Sequence, residues 1–421
     1  MKKIKLRSKE WFDNPDDPGL TALYLERYLN YGLKREDLQS GKPIIGIAQS
    51  GSDLSPCNRH FQSLSKTIKD GIKEAGGVPM EFPTHPIQET GKRPTAALDR
   101  NLSYLSLVEV LYGYPIDGVI LTTGCDKTTP AALMAAATVN IPSIVLSGGP
   151  MLDGNYKGKK AGSGTIIWEA RKLHAKGEID YDEFMDMAAA SAPSIGHCNT
   201  MGTASSMNSI AEALGMSLPG GAIIPAPYKE RTDISFKTGK RIVEMVFENL
   251  TPSKIMTKEA FENAVYVASA IGASSNCPPH LTAIARHMGV DFSLDQWEKL
   301  GHSIPLLANC QPAGEHLMEG FFKAGGVPAI MKELIKDKKL NIKALTVTGK
   351  TVEENLNMKI DVNRDVIKTY ENPLSHNAGF IVMKSNFFSS AVMKTSVISS
   401  EFRERYLSNK DSLNIFEVEA V

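Results

Sequence analysis

Between Lys42 and Leu146 the chain switches repeatedly between short apolar runs and longer segments of helical spacing. The apolar runs cover residues 43–48, 78–83, 117–122 and 141–146, and residues 61–75, 95–112 and 130–139 carry the helical spacing. Gly76-Gly77 closes the first helical segment, and Leu98, Leu102, Leu105 and Val108–Val110 form the expected apolar side of the second. Strand-length runs separated by helices predict an α/β fold: an open, mostly parallel sheet with helices on both faces. Such sheets place their sites outside the carboxyl ends of the strands. Four loops are thereby singled out, at residues 49–58, 84–90, 123–129 and 147–153.

Beyond Gly164 helical spacing dominates, at residues 165–174, 181–190, 203–214, 236–249, 258–270, 279–287 and 314–324. Composition changes near Asp361, after which residues 379–383 and 391–398 read as strands. The expected organisation is an N-terminal α/β domain over residues 1–360, then the beginning of a β, barrel-like domain over residues 361–421. A length of 421 residues suits two or three domains.

Charge excludes several partners. Lys+Arg and Asp+Glu both number 47, which leaves no basic excess for a nucleic acid and no charged tail for a membrane surface. The long uncharged stretch 128–152 is no membrane span, because Asn140, Pro142 and Gly148-Gly149-Pro150 divide it into helix, strand and turn. The basic amino terminus lacks the apolar core of a signal peptide, so a cytoplasmic protein is expected. Five widely spaced cysteines do not make a disulfide framework in that setting.

Cys57 stands in Ser55-Pro-Cys-Asn58, Cys125 in Gly124-Cys-Asp-Lys-Thr-Thr-Pro130, and Cys198 in Gly196-His-Cys-Asn-Thr-Met-Gly202. Two of the three follow expected strands, and thiolates converging at strand ends would ligate an iron–sulfur cluster or zinc. The competing reading is three unrelated buried thiols, since no CxxC pair is present. Cys277 and Cys310 lack the flanking pattern and read as ordinary buried thiols. Asp126 and Lys127 follow a buried strand, where a carboxylate suits Mg²⁺, and Glu89 offers a further oxygen. Against this stand a solvated ion pair and a surface acid. Residues 191–228 hold one acid, Glu212, and no Lys or Arg before position 229, as deep core or a cofactor surround would. Thr203 and Ser205 open a helix there, and Gly148-Gly149-Pro150 is a second loop with backbone donors; both also suit ordinary caps and turns.

Together, Cys125-Asp-Lys-Thr-Thr-Pro130, Ser147-Gly-Gly-Pro-Met151, Gly196-His-Cys-Asn-Thr-Met-Gly-Thr-Ala204 and Glu212-Ala-Leu-Gly-Met-Ser-Leu-Pro219 closely resemble the IlvD/Edd family of iron–sulfur dehydratases. The resemblance runs from Gly41 to about Lys394. The stretches at 51–58, 85–94, 225–231 and 283–287 look like the sugar-acid branch, which dehydrates pentonates such as D-xylonate or L-arabinonate. It implies that Cys57, Cys125 and Cys198 ligate a [2Fe–2S] cluster. It likewise implies that Glu89, Asp126 and a carbamylated Lys127 ligate Mg²⁺. The implied reaction removes water across C2–C3 of a small sugar acid, leaving a 2-keto-3-deoxy acid, in a homo-oligomer (dimer or tetramer).

The family base is a serine on a Gly/Ser-rich loop of the second domain, and neither Gly nor Pro occurs after Gly379. That serine is expected beyond Val421, so the chain reads as a fragment that is inactive, or nearly so, by itself. The alternatives are a dihydroxy-acid dehydratase of branched-chain amino-acid biosynthesis and a catalytically inactive metal-binding fragment.

Overall fold

A computed structural model describes residues 5–88 and 96–398 of the chain. The strands β1 (Ile44–Gln49), β2 (Val78–Pro83), β3 (Gly118–Thr123) and β4 (Ser143–Ser147) form one parallel sheet in the order β2-β1-β3-β4. Every residue of β1, β3 and β4 is buried, the pattern of strands covered on both faces, whereas the edge strand β2 is buried fully at Val78 alone. The fold class agrees with the expectation from the alternating sequence.

The Phe61–Glu74 helix joins β1 to β2, the Ala96–Gly113 helix joins β2 to β3, and the Thr128–Val139 helix joins β3 to β4. The chain moves outward from β1 to β2, then returns past β1 to reach β3 and β4. Right-handed crossovers therefore put the first helix on one face and the other two on the opposite face. The winding direction reverses between β1 and β3. A crevice opens outside the carboxyl ends of those two strands, where open α/β sheets bind ligands.

The Lys229–Glu248 helix covers the sheet beside Phe61–Glu74. The two helices meet at glycines: a Cβ on Gly239 would press on the Ile68 carbonyl, and one on Gly71 on that of Phe236. This close approach sets the Lys229–Glu248 helix deep enough for its first turn to reach the end of β4.

Several helices depart from the sequence reading. On Ala96–Gly113, Leu98, Leu102 and Leu105 are 52%, 44% and 57% exposed, while Asp99, Ser103, Leu107 and Leu111 turn inward. A helix with leucines on more than one side offers two apolar faces, and spacing alone does not choose between them. Lys229–Glu248 begins two turns before the expected residue 236, its opening anchored by Arg231 on the carbonyls of Ser147 and Gly221. The helix expected at 314–324 shortens to Met318–Lys323, since Asn309 Oδ1 accepts the Glu315 N–H (3.0 Å) and folds the preceding segment back. Pro18–Asn30, Leu294–Gly301, Gly326–Lys336 and Val352–Leu356 are helices the reading did not contain. Two of them start at capping boxes, Ser293 with Gln296 and Thr351 with Glu354.

Past the helical region, Phe380–Met383 and Ala391–Lys394 pair as an antiparallel hairpin. Phe380 meets Trp297 edge-on at 5.4 Å and joins the main apolar core. Residues 399–421, the last part of the expected second domain's opening, lie outside the described residues. No described helix is long and apolar enough to cross a membrane.

Candidate functional site

Cys57 lies in the short Pro56–Asn58 turn after β1, and Cys125 follows β3 by two residues, so the pair flanks the reversal point of the sheet. The neighbours of each cysteine fix it. Asn58 Oδ1 accepts the Cys125 N–H (3.0 Å), tying the two loops together. The Thr128 hydroxyl accepts the Gly124 N–H (3.1 Å) and donates to the Cys125 carbonyl (2.8 Å). The Cys57 thiol is within hydrogen-bonding reach of Cys125.

Cys198 arrives from much further along the chain, and backbone pairing brings it in. The His197 N–H donates to the Gly149 carbonyl (3.0 Å) and the His197 carbonyl accepts the Met151 N–H (2.9 Å). Residues 196–198 thus lie parallel to the loop that leaves β4. Gly196 has φ +126°, and a Cβ there would stand 2.6 Å from Met151 N and Pro150 C. Gly196→Ala is therefore expected to cost at least about 2 kcal/mol and to displace Cys198. A melting curve and an iron assay on the variant check this; unchanged values for both would show that the docked loop does not place the thiol.

Asn208, on the buried Thr203–Ala213 helix, links the loops from below. Its Oδ1 accepts the Thr123 and Thr129 hydroxyls (3.0 and 3.1 Å), and its Nδ2 donates to the Gly124 carbonyl and to His197 Nε2 (both 3.4 Å). His197 Nδ1 in turn donates to the Cys198 carbonyl (3.0 Å). One ring nitrogen donates and the other accepts, so His197 is neutral; burial holds its pKa down at about 3. The Ser205 hydroxyl also donates to the Cys198 carbonyl (3.3 Å), so a residue read as part of a helix opening instead braces the thiol loop.

The thiols are not ready to ionise unaided. The hydrogen bond with Cys125, burial, and the proximity of Cys125 and Cys198 all raise the Cys57 pKa. Cys198 is open to the cleft, yet the surrounding protein and then the charges of Cys125 and Asp126 push it up to about 11. Neighbouring thiols of this kind lose their protons together when a cationic centre neutralises them. Three soft donors, two of them following buried strands, fit an iron–sulfur cluster in that respect. Among the described residues, no three His, Cys, Asp or Glu side chains converge on a single ion. Cys277 and Cys310 are fully buried, and burial raises both, with the Asp126 charge adding to Cys277.

Asp126 and Lys127 point into the same buried region, with side chains 11% and 6% exposed and Lys127 Nζ 2.6 Å from Asp126 Oδ1. Burial opposes the Asp126 charge, but His280 and Lys127 outweigh it and hold the carboxyl below its usual range. As an ammonium, Lys127 occupies the position a cation would want. A carbamate on the same nitrogen would offer oxygen donors next to Asp126, so the pair fits Mg²⁺ in that form. Glu89, the third expected ligand, lies outside the described residues.

Arg231 and Glu212 hold the far wall. Arg231 is fully buried and donates to the carbonyls of Ser147, Gly221 and Ile224. Glu212 accepts the N–H groups of Gly220 (2.7 Å) and Ala222 (2.9 Å). Burial pulls Arg231 down to about 9 and pushes Glu212 up to about 7. The two opposed charges clamp residues 220–224 against the end of β4.

Sequence reasoning had quoted Asn58, His197 and Arg231 within motifs without giving them roles, and it missed Asn208 and His280. The motif stretches carry a signal for the first three. Nothing local announces His280, whose partner Arg100 is 180 residues away.

Residues 42–355 match the N-terminal domain of dihydroxy-acid/6-phosphogluconate dehydratases. The chain is 58% identical over 417 residues to a D-xylonate dehydratase of Caulobacter vibrioides, spanning 99% of the chain and 70% of that protein. It is 44% identical over 396 residues to an L-arabinonate dehydratase of Rhizobium leguminosarum bv. trifolii, spanning 94% of the chain and 68% of that protein. A dihydroxy-acid dehydratase of Caldanaerobacter subterraneus is 39% identical over 381 residues, spanning 89% of the chain and 68% of that protein.

Proposed function

The chain belongs to the dihydroxy-acid/6-phosphogluconate dehydratase family, and on that footing we propose that it dehydrates a pentonic acid at C2–C3 to a 2-keto-3-deoxy acid. The observation that supports this reading is Cys57 within hydrogen-bonding reach of Cys125 at the reversal point of the sheet, with the Cys198 loop docked on the loop after β4 and Asp126 and Lys127 alongside. The higher identity to proteins named for pentonates than to one named for dihydroxy acids supports the sugar-acid branch.

Cys57, Cys125 and Cys198 would hold the [2Fe–2S] cluster, and Asp126, Glu89 and carbamylated Lys127 would hold Mg²⁺. When bound, these groups supply Lewis acidity toward the departing hydroxyl and toward the negative charge that develops on the acid. Carbamylation needs only CO₂: the unprotonated Lys127 amine adds to it, forms the N–C bond and releases a proton. At 5% exposure Lys127 is shielded from bulk water, which would protect the product.

The test is a panel of D-xylonate, L-arabinonate and 2,3-dihydroxy-3-methylbutanoate added to anaerobically loaded protein, with visible spectra and keto-acid detection. The pentonates are expected to perturb the spectrum. A response to the branched acid alone would overturn the sugar-acid assignment.

A further inference from the structure

Asp126 has a second buried neighbour that neither the motifs nor the cofactor reading uses. His280 lies in the first turns of the Cys277–Met288 helix and is 4% exposed. Its Nδ1 is 3.0 Å from Arg100 Nη1. A guanidinium only donates, so Nδ1 is the acceptor and the ring's single proton sits on Nε2. That Nε2 faces Asp126 Oδ1 at 3.8 Å, too long for a hydrogen bond, and it has no other hydrogen-bond partner. A buried donor is thus aimed at a buried carboxylate, with its tautomer set from behind by Arg100.

We infer that His280 is a positioning residue for Asp126, taking over as hydrogen-bond donor to the carboxylate when Lys127 ceases to be an ammonium. This rests on the reading of Asp126 as a ligand of a divalent cation. At present Lys127 Nζ donates to Asp126 Oδ1 at 2.6 Å. Converting that nitrogen to a carbamate removes the ammonium and puts a second anion beside the first. Asp126 then needs another donor to keep its orientation, and the His280 Nε2–H is already pointed at it. Ligating carboxylates held by an outer donor in this way bind metal more tightly, with losses of about 10–100-fold when the donor is removed. Arg100 contributes through the ring: without its N–H, the imidazole is free to move its proton to Nδ1 and present a lone pair to Asp126.

The measurement is Mn²⁺ binding, read from the depletion of the free-ion electron paramagnetic resonance signal, on the whole protein with bicarbonate present. His280→Ala is expected to weaken binding by about tenfold or more, and His280→Gln, which keeps an N–H donor near that position, to recover most of it. Arg100→Met, at a half-buried position, should give an intermediate loss even if His280→Ala folds poorly. His287→Gln on the same helix should bind as wild type does. The inference is overturned if His280→Ala and Arg100→Met bind Mn²⁺ like wild type while Asp126→Asn does not. It is also overturned if His280→Gln is no better than His280→Ala, since a mere packing role predicts that result. Wild-type binding by Asp126→Asn would instead remove the ligand assignment on which the inference rests.

Discussion

Cys125→Ser is expected to give a folded protein that has lost its iron–sulfur absorbance and retains under about a tenth of the wild-type iron. The side chain is 3% exposed and its loop is held by backbone contacts, from Asn58 Oδ1 to the Cys125 N–H and from the Thr128 hydroxyl to its carbonyl. Serine leaves both in place and is slightly smaller, so the stability cost is about 1 kcal/mol. What changes is the donor: a hard, weakly acidic hydroxyl replaces a soft thiolate. Cys57→Ser and Cys198→Ser should behave alike. Cys277→Ser and Cys310→Ser, at fully buried positions the proposal leaves outside the cluster, should keep the colour. If iron falls equally in all five variants, general destabilisation explains it and the ligand assignment fails.

Arg231→Met is expected to be the most destabilising of the single changes considered, at about 3–5 kcal/mol. The guanidinium is fully buried and donates to three carbonyls, those of Ser147, Gly221 and Ile224. Methionine fills much of the volume but leaves those acceptors without donors and Glu212 without its counter-charge. The loss also propagates toward the site. Ser147 ends β4, and the loop that follows it is the surface on which residues 196–198 dock. Denaturant unfolding of the variant measures the cost. A change below about 1 kcal/mol would mean that the buried pair is not the frame of this wall.

The sheet was legible because buried parallel strands are continuous apolar runs, each found within two residues of its place, and the reversal point follows from their order and the handedness rule. Cys125 and Cys198 stood out through their glycine-flanked loops, although no spacing in the sequence says that the Cys198 loop docks beside the loop after β4. That docking depends on the pairing of His197 with the loop after β4, a contact between distant backbone groups with no side-chain mark. Buried charge was the least readable feature. Lys229-Glu-Arg-Thr-Asp233 has the composition of a solvated turn, yet its third residue is fully buried among carbonyls. The leucines of the Ala96–Gly113 helix misled in the opposite sense, as three apolar side chains at helical spacing ended on the surface. Side-chain chemistry states what a residue can do; the tertiary neighbours decide whether it does so.

The most direct test of the central claim is the iron and acid-labile sulfide content of protein purified without oxygen, read together with its visible spectrum. The account predicts a red-brown protein with about two irons and two sulfides per chain, lost together in Cys57→Ser, Cys125→Ser and Cys198→Ser. A colourless protein holding zinc, or iron that survives all three substitutions, would contradict it.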